Sequence, residues 1–453
     1  MGNVPLKDCD CLCDPTRFVT NAVNGMVATM ARLPEVMCDL GMITKEQLAA
    51  MSQPRGGEGQ AAESAGGQTN GEGQAATGND VAAESAGGDI NDVMTSLMGQ
   101  MNYLGIHPLV GEILDETFSA LDTCGYNYMN GRYPLDCKEY PNRIYYGSET
   151  LPLDIDVNWK YAKEIPQMIG DFTWTGWDYI GEAGAGVPKY GNASGFFSPY
   201  PIYLAYVGDF DITGYRRPMS YYREIVWGFR KKPYVAVQLP EHYHEEMHGT
   251  PWACSNAVES WTWPGFEGKP IKVEVYSDAE EVELLVNGAS AGRLPVGEEN
   301  RYKAIFDTVY EAGTVEAVAY AGGQEISRFA IETAQEERKL QVEVDRDVLR
   351  ADGQDAAYLM IAVVDGKGNM HTEFDSKVRV EVEGAGVLQG FGSADPASTE
   401  NFFDEERTPY YGRLLAVVRA GGKEGEIRVR VQAQGCETVE KVIKVNNPVS
   451  GEV

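Results

Sequence analysis

The chain has 453 residues, 43% of them hydrophobic and 23% charged, which is too long for one ordinary core and sets an expectation of two to four domains. Its 38 basic residues face 68 acidic ones, and the net charge of −30 repels nucleic acid and anionic membranes and argues against a DNA-binding role. No run of about 18 apolar residues is present to span a bilayer. The start, MGNVPLKDCDCLCDPTR, lacks the apolar region of a secretory leader, so a cytoplasmic location is expected unless the true N-terminus lies upstream.

Taken in chain order, the first cluster is Cys9-Asp-Cys11-Leu-Cys13. Structural zinc takes cysteine pairs two to four residues apart with a second pair or histidines, and here the spacing is one and nothing answers it. These cysteines therefore read as free thiols in a reducing compartment, and no metal is expected. From Ser52 to Gly88 the composition collapses to Gly, Ala, Gln, Glu and Ser, with GEGQAA at 57–62 and 71–76 and AAESAGG at 61–67 and 82–88. Such a segment cannot bury enough apolar surface to offset chain entropy, and a disordered insertion is expected over 52–88. Val93, Leu97, Met101 and Leu104 then recur at helical spacing, behind Asp89 or Asn91 as a cap.

From Leu121 to Ile180 short apolar runs end in polar and aromatic residues, DTCGYNYM, RIYYGSE and GDFTWTGWDYIGE, separated by helical stretches such as that between Asn158 and Met168. Strand, functional loop, helix is the rhythm of a parallel α/β barrel with its site at the strand C-termini. Beyond Tyr234 the rhythm changes. Val273 and Val275 alternate with Lys272 and Glu274, Val282–Val286 runs into the hairpin signal Asn287-Gly288, and Thr314–Tyr320 is closed by Gly322-Gly323. After a charged joint at 335–339 the same grammar resumes, with Ile427, Val429 and Val431 on one face and Arg428, Arg430 and Gln432 on the other. Two β-sandwiches of about 100 residues each fit this region.

Retaining glycoside hydrolysis requires two carboxyl groups about 5 Å apart, one to attack the anomeric carbon and one to protonate the leaving oxygen. Tyrosine hydroxyls suit the nucleophile's surroundings, and aromatic faces stack on a pyranose ring. Glu149 stands just past the strand-like RIYYGS, where barrel enzymes place catalytic groups. The preceding strand ends in Tyr126-Asn127-Tyr128 and the following one in Trp174 and Trp177, so successive strand ends offer phenol, acid and indole.

The runs DPTRFVTNAVN (14–24), GYNYMNGRY (125–133), PNRIYYGSETLP (141–152), GDFTWTGWDYIGE (170–182) and GDFDITGYRRPMSYYREIVW (208–227) resemble glycoside hydrolase family 2. The likeness is to its β-galactosidase-like members, whose barrel is followed by extra β-sandwiches similar to 261–292 and 386–420. It implies a multidomain α/β plus all-β chain: the C-terminal half of a (β/α)8 TIM barrel over 1–51 and 89–235 (strands 5–8), a β-sandwich over 236–335, and an immunoglobulin-like β-sandwich over 336–453. It implies that Glu149 is the nucleophile, that Tyr128 hydrogen-bonds that carboxylate, and that Trp174 lies beside the sugar. Asp178 and Tyr126 are weaker candidates for contacts to sugar hydroxyls, a structural hydrogen bond near the site being the alternative for each.

One departure from the family bears on activity. Its acid/base glutamate lies in an Asn-Glu pair upstream of the segment matching DPTRFVT, and no Asn-Glu dipeptide occurs in the 453 residues. The chain is thus expected to be a truncated or split product, little active alone, because a missing general acid forfeits about 10²–10⁴-fold. An open half-barrel invites a complementing N-terminal half or a homo-oligomer. The expected substrate is a β-glycoside or oligosaccharide, with a β-galactoside as the favoured case, and the chemistry demands no cofactor. A glucuronide would call for an Asn-x-Lys pair after Trp174. Asn158-Trp-Lys160 precedes it and is read as helix surface. The competing reading is a non-catalytic carbohydrate-binding or structural module, in which Trp252, Trp261 and Trp263 form a binding platform. Packing of the joint between barrel and sandwich is the preferred role for these indoles. His242, His244 and His248 are placed on a surface loop.

Overall fold

A computed structural model describes residues 38–39, 44–45, 105–191, 193, 197–248 and 251–447. The three-cysteine cluster, the low-complexity insertion, the helix expected over 93–104 and the motif at 14–24 lie outside the described residues. The chain is mostly β with few helices, and contacts divide it into two compact units: Met1–Thr150 with Lys160–Phe172, and Leu151–Trp159 with Thr173–Val453.

The first unit is organised by β1 (Cys124–Asn127), β2 (Tyr145–Thr150) and β3 (Met168–Thr173), a three-stranded sheet in that order with β1 parallel to β2. Helix α1 (Pro108–Phe118) precedes it, with Pro108 in the first turn and His107 Nδ1 accepting the Leu109 amide at 3.2 Å. Helix α2 (Tyr133–Glu139) joins β1 to β2, and α3 (Ile155–Glu164) joins β2 to β3. The core here is aromatic. Tyr126 stacks on Tyr145 with centroids 5.9 Å apart and receives the edges of Phe118 and Tyr133. Gly147 is held to glycine by this packing, since a Cβ there would lie 2.4 Å from Thr150 Cγ2 and 2.9 Å from the Tyr133 hydroxyl.

The second unit begins with an irregular stretch carrying the two-stranded β4 (Tyr179–Ile180) and β5 (Leu204–Ala205), then helix α4 (Pro218–Val226). Two four-stranded sheets follow. One has the order β11-β8-β6-β7, from β6 (Tyr234–Gln238), β7 (Ala257–Val258), β8 (Pro270–Tyr276) and β11 (Lys303–Val309). The other has the order β10-β9-β12-β13, from β9 (Glu281–Val286), β10 (Ala289–Pro295), β12 (Thr314–Ala321) and β13 (Gln324–Glu332). Their inner residues, Val235, Val273 and Val275 from one and Val282, Leu284 and Ala317 from the other, join one core. The β9–β10 hairpin turns at Asn287 (φ 50°) and Gly288 (φ 82°), both left-handed as a type I′ turn requires.

The last sandwich packs β14 (Lys339–Val344), β16 (Ala356–Val364), β20 (Arg413–Ala420) and β18 (Gly386–Gly392) against a five-stranded sheet. That sheet is ordered β15 (Val348–Arg350), β22 (Val439–Asn446), β21 (Gly425–Ala433), β17 (Val378–Gly384), β19 (Glu406–Arg407). Ile427, Val429 and Val431 point inward at 0% exposure while Arg428 and Arg430 face solvent, as the alternation in the sequence predicts. Each fully buried valine or leucine of such a core contributes roughly 1.5–3 kcal/mol. Among the described residues no helix is long and apolar enough to cross a membrane.

Candidate active site

Glu149 is the fifth residue of β2, and β1 delivers Tyr128 beside it. The ladder slips between Tyr126 and Asn127, so that Asn127 pairs with Glu149, and Tyr128 turns with φ 56°. Two bonds then pin the loop to the strand: the Tyr128 amide donates to the Glu149 carbonyl at 2.8 Å, and the Tyr128 hydroxyl donates to Glu149 Oε2 at 2.8 Å. The second is a charge-assisted bond of normal length that holds the carboxylate in one orientation. Both side chains are half-buried, so the pair is ordered yet reachable. Beside it Thr150 Oγ1 donates to Asp171 Oδ2 at 2.8 Å and Ser148 Oγ to Asn127 Oδ1 at 2.7 Å, tying together the ends of β1, β2 and β3.

Tyr126 has a different role from a sugar contact. It is 2% exposed, and its hydroxyl donates to Asp136, which also forms a buried ion pair with Arg132 (Nε to Oδ2, 2.9 Å). Burial and the Asp136 carboxylate both raise its pKa, so the phenol stays protonated. Tyr126 is a core strut because the strand's period of two turns it inward while Tyr128 follows the slip outward. This hydrogen bond to Asp136 is of the structural kind named as the alternative for Tyr126.

Trp174 and Asp178 belong to the second unit. Trp174 is half-buried, its indole N–H donating to the Tyr179 hydroxyl at 3.0 Å, and the Trp174–Thr175 peptide is cis. Tyr179 in turn donates to Glu182. Asp178 is buried, paired with Arg217 and accepting the Gly208 amide at 2.8 Å. Burial raises its pKa, opposed by Arg217 and Gly208. With both oxygens engaged, Asp178 ties the loop after β3 to the segment before α4, a structural hydrogen bond of the kind named as its alternative. Trp177, 52% exposed and stacked on Phe210 at 5.2 Å, is an open aromatic face.

The remaining sequence candidates fall as follows. Asn158 is 1% exposed and neither amide atom has a hydrogen-bond partner, whereas Lys160 is exposed. The expectation of helix surface is therefore wrong for Asn158, because α3 turns it inward beside Ile155. Trp252, Trp261 and Trp263 are 6%, 0% and 7% exposed, so they form no surface platform. Trp261 and Trp263 lie in the core of the first sandwich, with the Trp261 indole donating to the Glu311 carbonyl at 3.0 Å. His242 stacks on Tyr190 at 3.6 Å and contacts Glu245 Oε1 at 2.7 Å, while His244 and His248 are exposed.

The chain matches the profile of glycoside hydrolase family 2 C-terminal domain 5 over residues 340–442, and a profile of a domain of unknown function over 268–327. It is similar to a β-galactosidase of Bacteroides ovatus, 28% identical over 287 residues that make up 63% of this chain and 29% of the relative. A protein of Formosa agariphila, named provisionally a β-glucuronidase, is 26% identical over 61% of this chain and 24% of its own length. Among solved structures, a glycosyl hydrolase family 2 member from Bacteroides cellulosilyticus superposes with a TM-score of 0.67 at 31% identity, covering 79% of this chain and 47% of that one. The chain thus spans less than half the length of the relatives it matches.

Proposed function

Since the chain is a member of glycoside hydrolase family 2 corresponding to that family's C-terminal part, we propose that it supplies the nucleophile half of a retaining glycosidase. In this reading Glu149 attacks the anomeric carbon and Tyr128 orients its carboxylate. Trp174 offers an indole beside the sugar. The general acid is a carboxyl group contributed from outside this sequence. The observation that carries the reading is the 2.8 Å bond from the Tyr128 hydroxyl to Glu149 Oε2 at the C-terminal end of a strand. That position is where parallel α/β barrels hold their catalytic groups, and the order β1, α2, β2, α3, β3 with β1 parallel to β2 is compatible with part of such a barrel.

A neutral sugar is favoured over a uronate. The Asn158 amide is buried and Lys160 is exposed, so this pair offers no joint grip on a carboxylate. The Bacteroides ovatus relative is named a β-galactosidase, which makes a β-galactoside the first substrate to try.

The decisive experiment pairs two leaving groups. The chain alone, mixed with a reconstructed N-terminal half, and as Glu149→Gln is given p-nitrophenyl and 2,4-dinitrophenyl β-galactosides. A nucleophile without its acid should release the dinitrophenolate, which departs unprotonated, and lag by about 10²–10⁴-fold on substrates that require protonation. The added half should close that gap. In the assembled pair Tyr128→Phe should slow turnover roughly tenfold, the scale of one charge-assisted hydrogen bond. Release of dinitrophenolate undiminished in Glu149→Gln would refute the nucleophile assignment.

A further inference from the structure

A cavity of about 770 Å³ opens within the second unit, lined by neither Trp174 nor Asp178. Its size falls within the roughly 300–1,000 Å³ of small-molecule sites. The wall is assembled from segments far apart in sequence, among them 186–190, 214–221, 254–262 and 410–413.

Its chemistry is mixed in a particular way. Glu259 lines the cavity and is exposed to water; burial raises the pKa of its carboxyl group, opposed by Tyr234, Arg230, Arg413 and Arg216. Arg413 and Arg217 also line the cavity: Arg217 is held by Asp178 and the Gly208 carbonyl, whereas the Arg413 side chain stays 20% exposed, with its nearest carboxylate, Asp211, 3.9 Å away. Tyr410 and Tyr411 lie 4.5 Å apart in the wall, half-exposed, and burial raises both phenols, which keeps them protonated as donors.

We propose that this cavity is a second, non-catalytic site for an uncharged sugar of mono- to disaccharide size, with Glu259 and Arg413 as polar anchors and Tyr410 and Tyr411 as the stacking wall. A carboxylate accepts from vicinal hydroxyls and a guanidinium donates to ring or hydroxyl oxygens, so both are satisfied by a polyol. Glu259 and Glu332 stand beside Arg216, Arg217 and Arg413 in the wall, so charges of both signs are compensated there and a neutral polyol fits better than an ion. A sugar's apolar ring face matches a phenol ring, and its hydroxyls match the exposed guanidinium and phenol groups of the wall. The site does not rest on the nucleophile assignment, and either can fail without the other.

The test is calorimetric titration of the full chain, and of its Glu149→Gln form in which hydrolysis cannot intervene, with lactose and with cellobiose, glucuronic acid serving as the charged control. Saturable binding of one disaccharide, equal in both forms, is expected. It should weaken at least about tenfold in Glu259→Gln, on the scale of a charged hydrogen bond, and weaken measurably in Met360→Trp, whose side chain lines the cavity and whose added bulk narrows it without altering a charge. Four results would overturn the proposal. They are no saturable binding up to the solubility of either sugar, binding unaffected by both Met360→Trp and Glu259→Gln, binding lost in Glu149→Gln, or glucuronic acid binding as tightly as the neutral sugars.

Discussion

The sheet that carries Glu149 and the sandwich at the other end of the chain solve the burial problem with different residues. Strands β1, β2 and β3 run four to six residues, and their core is built from Tyr126, Tyr133, Tyr145 and Phe118. In the last sandwich β16 and β21 run nine residues, and the core is Val, Leu, Ile and Ala at alternate positions, most at 0–1% exposure. The aliphatic alternation closes a core from two facing sheets. The small sheet instead leaves Ile169 and Phe172 of β3 each 66% exposed. Its polar and aromatic content is placed at strand ends, where chemistry can use it. A scaffold tolerates substitutions of similar volume, whereas a site depends on single atoms.

The largest expected effect breaks this contrast at the site. On the proposed function, Glu149→Gln in the chain paired with an N-terminal half should lower kcat by on the order of 10⁴-fold or more, with an unchanged circular-dichroism spectrum and Tm. A fall in Tm beyond a degree or two would mean that Glu149 serves the fold. In the sandwich the converse is expected. Leu359→Ala, at a position 0% exposed, should reduce stability by roughly 2–5 kcal/mol in denaturant unfolding while leaving kcat of the folded fraction unchanged.

The third expectation concerns pH. Asp365 is 1% exposed and its carboxylate accepts the amides of Gln335, Lys367 and Asn369, which, with the Asn369 side chain, outweigh burial and hold its pKa at about 2. Its folded pKa is depressed below an unfolded value of about 3.9. The stability it contributes is therefore present above about pH 4 and lost as pH falls through 2, an effect of roughly 2–3 kcal/mol. Stability measured from pH 5 to 2 should lose that slope in Asp365→Asn, and an unchanged slope would show that other carboxylates dominate.

The smallest effect has the opposite sign. Arg407 is 0% exposed, none of its three guanidinium nitrogens has a hydrogen-bond partner, and Glu400 lies 3.9 Å away. Burial lowers its pKa. Replacing a poorly compensated buried charge by an apolar side chain of similar length is neutral or stabilising, so Arg407→Met should raise stability by about 1 kcal/mol in urea unfolding. A loss of several kcal/mol would show that the guanidinium is satisfied by water.

Much of this was legible beforehand wherever a local rule and the tertiary environment agree. Asn287-Gly288 makes its hairpin because both residues adopt left-handed φ cheaply, and Val273, Val275, Ile427 and Val429 face inward because a strand has a period of two. Tyr128 beside Glu149 was foreseen from family resemblance and came out as a hydrogen bond. Tyr126 and Asp178 were half-read, because a sequence marks a polar side chain without revealing whether a protein partner, here Asp136 or Arg217, already holds it. Asn158 was misplaced because helical periodicity alone does not tell which face of a short helix meets a core.

What the sequence by itself determined, then, is the set of elements governed by near neighbours: strand alternation, glycine turns, and a carboxylate at the end of a strand. Only the tertiary structure decided which polar groups are already paired and which are left open. Glu259, Arg413, Tyr410 and Tyr411 carry no shared motif, and they meet because the fold brings segments some 150 residues apart around one cavity. The physical reason is that hydrogen-bond satisfaction and desolvation are properties of the packed volume around an atom, and that volume is filled mainly by residues distant along the chain.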